Sequence, residues 1–530
     1  MAVKSNKLDY ISIDDFSPGL NTLDDERSLG IGESPYMLNV DITQKGQIIT
    51  RFGYELFASI SGATGTMRGL LPFYRTYGTD SGDYLLLFHS NGNAYYVTNN
   101  QTTPQSISSY GTDSGKVRGT VFNNLAIYGN GLAANTIQTW SGTGASSNLG
   151  GSPPDAKYFS TFQKRLVLSG VSGAPSRVDY SDTDNQGAGW GASNQINVNV
   201  GDGQDCTSLI AHNDFLQVFK EDSIYGINFS FDSSYALTIP QLQPIVTRTG
   251  GAIAPDSVQP VYGYSYFLSD KGFQGYGVAP SGVDRREPIA LSWKINPTVN
   301  KINKQYMDSV TSTFFNEKYL CTVPFANSST NDYTFVYNEI YKSWSLYNNI
   351  PAYQYAIFRD SQKNKQLYFA STQEAKVFRF NSSFSDDGVG YTRSWRSKTF
   401  TLGERTYWRW LDVEGSIAQG TTLNVYITVD GITRSFTIDR DNFVSTATGE
   451  GQIGDNYIGD AYIGSAVGSD TATPLYRFKK RIHFPDTISN GYEMYFEFSN
   501  QAVGEGWKIS RVGIAYEGQP IDPSYNRVYT

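Results

Sequence analysis

The sequence contains few of the residues that build disulfide frameworks, zinc sites or histidine-based active sites. Its 530 residues include two cysteines, Cys206 and Cys321, and three histidines, His89, His212 and His483. The cysteines are too few for a disulfide framework and wrongly spaced for a zinc site, so we expect two free, buried thiols. His89 and His212 lie inside strand-like segments, where packing roles are expected, and His483 alternates within a basic strand.

Long apolar runs are also missing. No run approaches the length of about 18 residues that a membrane-spanning helix requires. The first residues, MAVKSNKLDYISIDD, lack the apolar core of a secretory signal. We therefore expect no membrane span and no secretion, and a protein that is made and assembled in a cytoplasm.

Catalytic signatures are absent as well. The sequence has no H-E-x-x-H, no G-x-S-x-G, no phosphate-binding loop and no dinucleotide fingerprint. Carboxylates cluster at residues 24–28, 201–206 and 439–442, where they could act as acid/base pairs or calcium ligands. Turn-rich β proteins collect such clusters in any case, so we predict no enzyme activity, no cofactor, and no catalytic, cofactor-binding or metal-binding residue.

The charge balance disfavours nucleic-acid binding. The chain carries 50 acidic and 42 basic residues, for a net charge of −8, and such a chain repels a phosphate backbone unless a basic patch is localised. Two basic runs, RSWRSK at 393–398 and RFKKRIHF at 477–484, are interleaved with aromatic residues, as a base-stacking surface would be. Their apolar residues also fit strand edges, and we favour solvated strand faces.

What the sequence has in quantity is typical of β-sheets. It contains 38 Tyr, 30 Phe and 52 Gly but only five Met, which indicates an all-β fold of half-buried strands and tight turns. Between residues 61 and 385 a hairpin pattern recurs roughly every 40 to 52 residues, as expected for a β-propeller of six to eight blades. Turn pairs such as Asn91-Gly92, Asn123-Asn124, Asn213-Asp214 and Asn316-Glu317 suit the left-handed backbone of hairpins.

The pattern changes after residue 385. Strands become longer and alternate cleanly, as in TLNVYITV, where Leu423, Val425, Ile427 and Val429 share one face. We predict a β-sandwich over residues 386–530. A Gly-rich loop near 449–470 is either a contact loop or a plain connection between strands.

The opening of the chain carries a family resemblance. FSPGLN at 16–21, ESPYMLNVDI at 33–42 and TRFGYE at 50–55 resemble the opening of a family of tailed-bacteriophage virion proteins. Later stretches continue the resemblance, among them VYNEIYKSWSLY, SWRSKTFTLG at 394–403 and GWKISRVGIAYEG at 506–518. Pro18 departs from the family pattern, in which a second Gly is common, and ITQKGQIIT is less Pro-rich. The resemblance is to the propeller-containing tail nozzle proteins of short-tailed phages.

The resemblance implies an architecture. Residues 1–60 form an extended strap, 61–385 the propeller and 386–530 the sandwich. The strap is pinned by Phe16, Leu20, Leu38 and Val40, lies across the propeller and closes its first blade.

It also implies a role in the virion tail. The chain is expected to be a structural nozzle or hub subunit that forms part of the DNA ejection channel and offers a docking surface to fibres or adaptor. Expected partners are copies of itself in a homo-oligomeric ring, most simply a hexamer, with adaptor, portal and tail fibres. Phage DNA would pass through the lumen without specific binding, and assembly would take place in the host cytoplasm.

Two other functions remain open. A receptor-binding or fibre-attachment protein would use exposed Tyr-rich loops. A carbohydrate-active propeller enzyme is suggested by TDNQGAGW at 183–190, which is one residue short of the Asp box of sialidase-like propellers. An Asp box stabilises a hairpin and performs no chemistry, so it favours propeller geometry alone.

Overall fold

Antiparallel strands make up nearly all of the regular structure, as the composition predicts. The computed structural model describes residues 8–43, 46–76, 82–111, 115–212, 215–232, 237–246, 250–277, 288–439 and 475–518. Within these ranges the helices are short: one α-helix, Asn296–Val299, and three 3₁₀ helices, Pro255–Ser257, Trp293–Ile295 and Lys304–Ser309. None of the described helices has the length and hydropathy needed to cross a bilayer.

The opening segment forms seven short strands separated by turns. They are β1 (Asp9–Ile13), β2 (Gly19–Leu20), β3 (Glu33–Ser34), β4 (Tyr36–Leu38), β5 (Val40–Ile42), β6 (Ile48–Thr50) and β7 (Tyr54–Ser59). The four predicted anchors, Phe16, Leu20, Leu38 and Val40, are all buried. The segment is therefore extended chain held by apolar side chains, as expected.

Five four-stranded sheets then follow one another along the chain, which we call blades 1 to 5. Blade 1 comprises β8 (Met67–Arg75), β9 (Gly82–His89), β10 (Asn93–Thr98) and β11 (Gln101–Ser109), and blade 2 comprises β12 (Arg118–Phe122), β13 (Leu125–Gly129), β14 (Gln138–Trp140) and β15 (Ser147–Asn148). Blade 3 comprises β16 (Tyr158–Phe162), β17 (Arg165–Val171), β18 (Ala174–Tyr180) and β19 (Gln195–Asn197), and blade 4 comprises β20 (Ser208–His212), β21 (Phe215–Phe219), β22 (Ile224–Asp232) and β23 (Leu237–Val246). Blade 5 comprises β24 (Gln259–Val261), β25 (Tyr264–Ser269), β26 (Gly272–Gly277) and β27 (Pro288–Ala290).

Two further four-stranded units complete the ring. The first, the shared blade, comprises β28 (Thr311–Phe315), β29 (Lys318–Val323), β30 (Tyr333–Asn338) and β31 (Ser343–Asn348). It continues into the large C-terminal sheet because β31 pairs with β4, Leu346 opposite Leu38. The second, the closing blade, consists of β32 (Ala352–Arg359), β33 (Lys365–Ser371), β34 (Lys376–Phe380) and β7.

Contacts between the first strands of successive units show a propeller. β8 contacts β12, β12 contacts β16, and the series continues through β20, β24 and β28 to β32, which contacts β8 again. Six blades are separate four-stranded sheets, and the shared blade fills the remaining place in the ring. The predicted β-propeller is confirmed.

The hairpin turns also follow the prediction. Asn123-Asn124 has φ of 48° and 60°, and Asn316-Glu317 has φ of 47° and 60°. Gly92 supplies the left-handed residue of the Asn91-Gly92 turn, with φ of 81°. Gln163-Lys164 adopts the same conformation without Asn or Gly, and Asn213-Asp214 lies outside the described residues.

The expectation that the strap closes the first blade was wrong. β7, at Tyr54–Ser59, pairs antiparallel with β34 and closes the blade whose other strands come last among the propeller strands. The reason is the ring itself, since the first and last units of a closed propeller are neighbours. The other strands of the opening segment pair mainly with the C-terminal sheet, so the predicted boundaries at residues 60 and 385 stay predictions.

The C-terminal strands belong to the same sheet as the shared blade. They are β35 (Arg393–Arg396), β36 (Phe400–Ala418), β37 (Thr422–Val429), β38 (Ile432–Asp439), β39 (Leu475–His483), β40 (Asn490–Asn500) and β41 (Trp507–Gly518). The start of β36 pairs with β40, and the rest pairs with β39 and β41. The predicted face of β37 is buried. The β-sandwich stays a prediction, and the Gly-rich loop near 449–470 lies outside the described residues.

Candidate functional site

Segments from the opening and the C-terminal part of the chain meet at one place, which we call the junction. There the opening segment lies between the shared blade and the C-terminal strands. Phe16 and Trp395 are fully buried, with their rings edge to face at 5.2 Å. Gly19 has φ of +70°, and a Cβ there would lie 2.8 Å from the backbone oxygen of Trp344. The first motif, F-x-x-G-L-N, therefore fits the opening chain tightly against its neighbours.

Asn39, in the L-N-V-D stretch, ties three segments together. Its backbone is left-handed, with φ of 53°, and its side chain is fully buried. Its Nδ2 donates to the backbone oxygen of Thr392 at 2.7 Å, and its Oδ1 accepts from the backbone N–H of Asn348 at 2.9 Å. These two bonds link the opening segment to both its neighbours. Oδ1 also accepts from Nε of Arg51 at 2.8 Å, which connects the amide to the charged residue of the same segment.

Arg51, in the R-x-G-Y stretch, forms the charged centre of the junction. Its guanidinium donates to both carboxylate oxygens of Asp386, at 2.8 and 2.6 Å, and lies 3.9 Å from the ring centroid of Tyr391. Burial raises the pKa of the Asp386 carboxyl above its ordinary value, and Arg51 opposes that shift. Gly53 is required nearby because a Cβ there would lie 1.8 Å from the backbone oxygen of Ser385.

A second charged group, the axial cluster, lies where the first strands of the blades converge. Lys116 and Arg118, at the start of blade 2, both contact Asp256, which precedes blade 5. Lys116 Nζ lies 2.8 Å from Asp256 Oδ2, and Arg118 binds both Asp256 oxygens through Nε and Nη2 at 2.9 to 3.1 Å. Lys116 also donates to the backbone oxygen of Val310 at 3.0 Å.

The electrostatics of the axial cluster follow from its two cations and one anion. Burial opposes the charge on Asp256, but Arg118 and Lys116 hold the pKa of its carboxyl well below the ordinary value. Burial lowers the pKa of Lys116, and Asp256 opposes that shift. The cluster therefore joins blades 2 and 5 across the ring by an ion pair. Sequence reasoning missed it, although GKVRG places two basic residues beside a buried valine.

The histidines have packing roles. His89 is buried, and its Nδ1 accepts from the backbone N–H of Asn91 at 3.1 Å. His212 joins blade 4 to blade 5 through Ser265 Oγ at 2.8 Å and the backbone oxygen of Tyr262 at 2.7 Å. The prediction for these two is confirmed. His483 lies exposed on β39, with its ring 5.9 Å from that of Trp410.

Both cysteines are free and buried, as predicted. Burial raises the pKa of the Cys206 thiol to about 11 and that of the Cys321 thiol to about 12. Thiols in this state are protonated at neutral pH and are poor nucleophiles.

Several carboxylates of these clusters have internal partners. Asp202, in the 201–206 cluster, places both oxygens 2.8 Å from Nζ of the fully buried Lys220. In the 24–28 cluster, Glu26 binds Arg396 at 2.5 Å, whereas Asp25 is exposed. Most of the 439–442 cluster lies outside the described residues. No group of three or more possible metal ligands of the His, Cys, Asp and Glu types occurs in the described ranges.

The two basic runs differ. Along β39, Phe478 and Ile482 are buried while Arg477, Lys479 and Arg481 point outward, so the prediction of a solvated strand face is confirmed. For the run at 393–398 it was wrong at Arg393, which is fully buried and donates to the backbone oxygens of Phe384 and Ala502. Carbonyl groups from two loops replace water around this guanidinium, which sequence alternation alone cannot reveal.

Comparisons with known proteins identify no family for the chain. No family model matches the chain, and no curated protein matches it. Among solved structures the chain is similar to the WD40 domain of Pan2 from Neurospora crassa, with 8% identity, a TM-score of 0.38, and coverage of 64% of this chain and 97% of that one. At this similarity the comparison carries no argument about function.

Proposed function

We propose that the chain is a structural component of a bacteriophage tail, a nozzle or hub subunit that forms part of the channel for DNA ejection. One observation carries the proposal. Those of the phage-like stretches that contain Phe16, Asn39, Arg51 and Trp395 are assembled into the junction, where they contact both propeller and C-terminal strands. These residues act as architecture, which fits a protein whose role is to hold shape under load.

The proposed chain works in a ring of copies of itself, most simply a hexamer, with adaptor, portal and tail fibres as neighbours. Its net charge of −8 fits a channel through which DNA slides, because like charges keep the phosphate backbone from adhering. The proposal assigns the chain to the virion tail, with assembly in the host cytoplasm, and gives it no reaction to catalyse.

The junction matters to this function because it connects the propeller to the C-terminal strands. A nozzle subunit must transmit force between neighbours without its two parts moving apart. The bidentate Arg51–Asp386 pair, the hydrogen bonds of Asn39 to Thr392 and Asn348, and the Phe16–Trp395 contact all cross the junction. Such a pre-organised, water-excluded contact resists hinge motion better than a solvated linker does.

The test is the location and copy number of the chain in particles. The gene would be tagged in the phage genome that encodes it, and purified particles would be examined by mass spectrometry and by electron microscopy of the labelled tag. We expect a fixed copy number, that of a closed ring, with label at the tail beneath the portal.

Absence of the chain from purified particles would overturn the proposal. Label at fibre tips, together with binding of the isolated chain to cells, would favour the receptor-binding alternative. Glycan turnover that is lost when acidic residues are neutralised would favour the enzyme. A variant with Lys304→Glu, an exposed change on the propeller, serves as the control for correct tagging and incorporation.

A further inference from the structure

Three large apolar side chains remain about half exposed where the opening segment crosses the end of blade 5. They are Leu23, Ile31 and Trp293, which we call the opening-loop patch. Single exposed apolar residues are common on proteins, but a half-exposed Trp and two half-exposed aliphatic residues on loops that hydrogen-bond to one another have the composition of an interface centre. The opening-loop patch is therefore a candidate contact surface.

The opening-loop patch is held in place before any partner arrives. The backbone N–H groups of Thr22 and Leu23 both donate to the backbone oxygen of Lys294 at 3.0 Å. Glu33 accepts from Lys294 Nζ at 2.7 Å and from the backbone N–H of Gly30 at 2.8 Å. These bonds fix the loops that carry all three side chains, so a partner that binds there loses little affinity to the conformational entropy of ordering them.

The charge beside the patch selects the partner. Asp24 and Asp25 follow Leu23 directly and are exposed, the Asp25 side chain by 66%. A fitting partner presents basic groups on long apolar stems. One face of β39 of the same chain has this character, because Arg477, Lys479 and Arg481 point outward on it and their methylene stems are apolar.

We propose that the opening-loop patch of one copy receives β39 of a second copy of this chain. The side chains of the opening-loop patch then pack on the methylene stems of Lys479 and Arg477. Lys479 already binds Glu414 at 2.7 Å, but its side chain is 70% exposed, and such a surface pair contributes little that would be lost on exchange.

The contact is head-to-tail because the two surfaces are different parts of the chain. A heterologous contact of this kind generates a closed ring when its rotation closes, or a filament when it does not. This inference rests on the proposed function, since it names the surfaces that would build the nozzle ring.

The experiment is a charge swap on the full chain. One variant carries Asp24→Lys and Asp25→Lys, a second carries Arg477→Glu and Lys479→Glu, and a third carries all four changes. Oligomeric state is measured by sedimentation velocity and native mass spectrometry over a concentration series. Circular dichroism and thermal unfolding verify that each variant is folded.

We expect the native chain to assemble. Each of the first two variants, which change one surface only and are called single-surface variants, should lose at least tenfold in association constant. The four-site variant, and an equimolar mixture of the two single-surface variants, should assemble again because complementary charges are restored. Trp293→Ala should weaken assembly at least tenfold without changing its charge dependence. Lys164→Glu, a charge reversal at an exposed turn of blade 3, should assemble as the native chain does.

Three results would overturn the inference. They are a native chain that stays monomeric at its highest soluble concentration, single-surface variants that assemble normally, and lost assembly that the four-site variant fails to restore. Loss of duplex DNA retention in the β39 variant with unchanged assembly would instead assign the strand to nucleic acid. None of these results removes the chain from purified particles, so failure here is distinguishable from failure of the proposed function.

Discussion

The junction and the axial cluster each bury an aspartate against an arginine, but the pKa of the carboxyl group shifts in opposite directions at the two sites. At the junction one Arg51 faces one Asp386, and burial raises the pKa of that carboxyl. In the axial cluster two cations face Asp256, and they lower its pKa well below the ordinary value. Arg393 also lowers the pKa of Asp386, so the two sites differ in that Asp256 is bound directly by two cations, and these direct contacts outweigh its burial.

The first prediction breaks the junction from the anion side. Asp386→Ala leaves the guanidinium of Arg51 without its counterion in a site where the Arg51 side chain is 2% exposed. An arginine cannot shed its charge at neutral pH, so we expect a loss of about 4 kcal/mol in the free energy of unfolding. Urea denaturation monitored by tryptophan fluorescence measures it, with the exposed Asp270→Ala as control. A loss below about 1 kcal/mol would contradict the prediction.

The second prediction removes the anion of the axial cluster. Asp256→Ala leaves Lys116 and Arg118 together, and we expect a loss of about 3 kcal/mol. The effect is smaller than at Asp386 because the Asp256 side chain keeps 23% exposure and Lys116 is able to release its proton. The same urea series measures it. A larger loss for Asp256→Ala than for Asp386→Ala would reverse the expected order.

The third prediction breaks the junction from the cation side. Arg51→Met leaves Asp386 buried alone, but a carboxyl whose pKa is already raised by burial takes up a proton readily. We therefore expect a loss of about 2 kcal/mol, less than for Asp386→Ala. The double variant Arg51→Met with Asp386→Leu should recover part of that loss in a double-mutant cycle. Equal losses from the two sides would show that Asp386 stays charged.

The fourth prediction concerns pH and has the smallest effect. The pKa of Asp256 is lower in the folded than in the unfolded chain, so its stabilising contribution is present above about pH 4 and is lost as the pH falls below that value. Asp256→Asn should make the acid limb of the stability curve flatter.

Asp386 should behave in the opposite way. The pKa of Asp386 is higher in the folded than in the unfolded chain, so as the pH falls the folded chain takes up this proton before the unfolded chain does. Its contribution to the free energy of unfolding is therefore lost as the pH rises through the raised value. Asp386→Asn should therefore make the acid limb steeper. Thermal unfolding between about pH 3 and pH 6 compares both variants with the native chain, and parallel curves for the two would contradict the assignment.

A large share of the fold could be predicted from the sequence because turns and strand faces depend on residues that are close together in the chain. Asn123-Asn124 and Asn316-Glu317 form left-handed turns since their side chains tolerate that backbone, whatever lies around them. Alternation in β37 placed its buried face correctly because strand periodicity is a property of the strand itself. Neither inference needed knowledge of distant residues.

The candidate site was only partly predictable. The opening motif indicated that Phe16 and Leu20 are anchors, but nothing local indicated that Arg51 would bind Asp386 or that Arg393 would be buried among loop carbonyls. Arg118 and Asp256 are likewise far apart in sequence and meet only because the ring closes.

By itself, the sequence determined an all-β chain of short hairpins with free thiols, because turn preference, strand periodicity and composition act over a few residues. Only the tertiary structure decided that β7 closes the last blade, that the shared blade joins the C-terminal sheet, and which charges share a buried site. The physical reason is that a buried charge needs a counterion or hydrogen-bonding groups around it, and the tertiary structure decides which of these lie within reach.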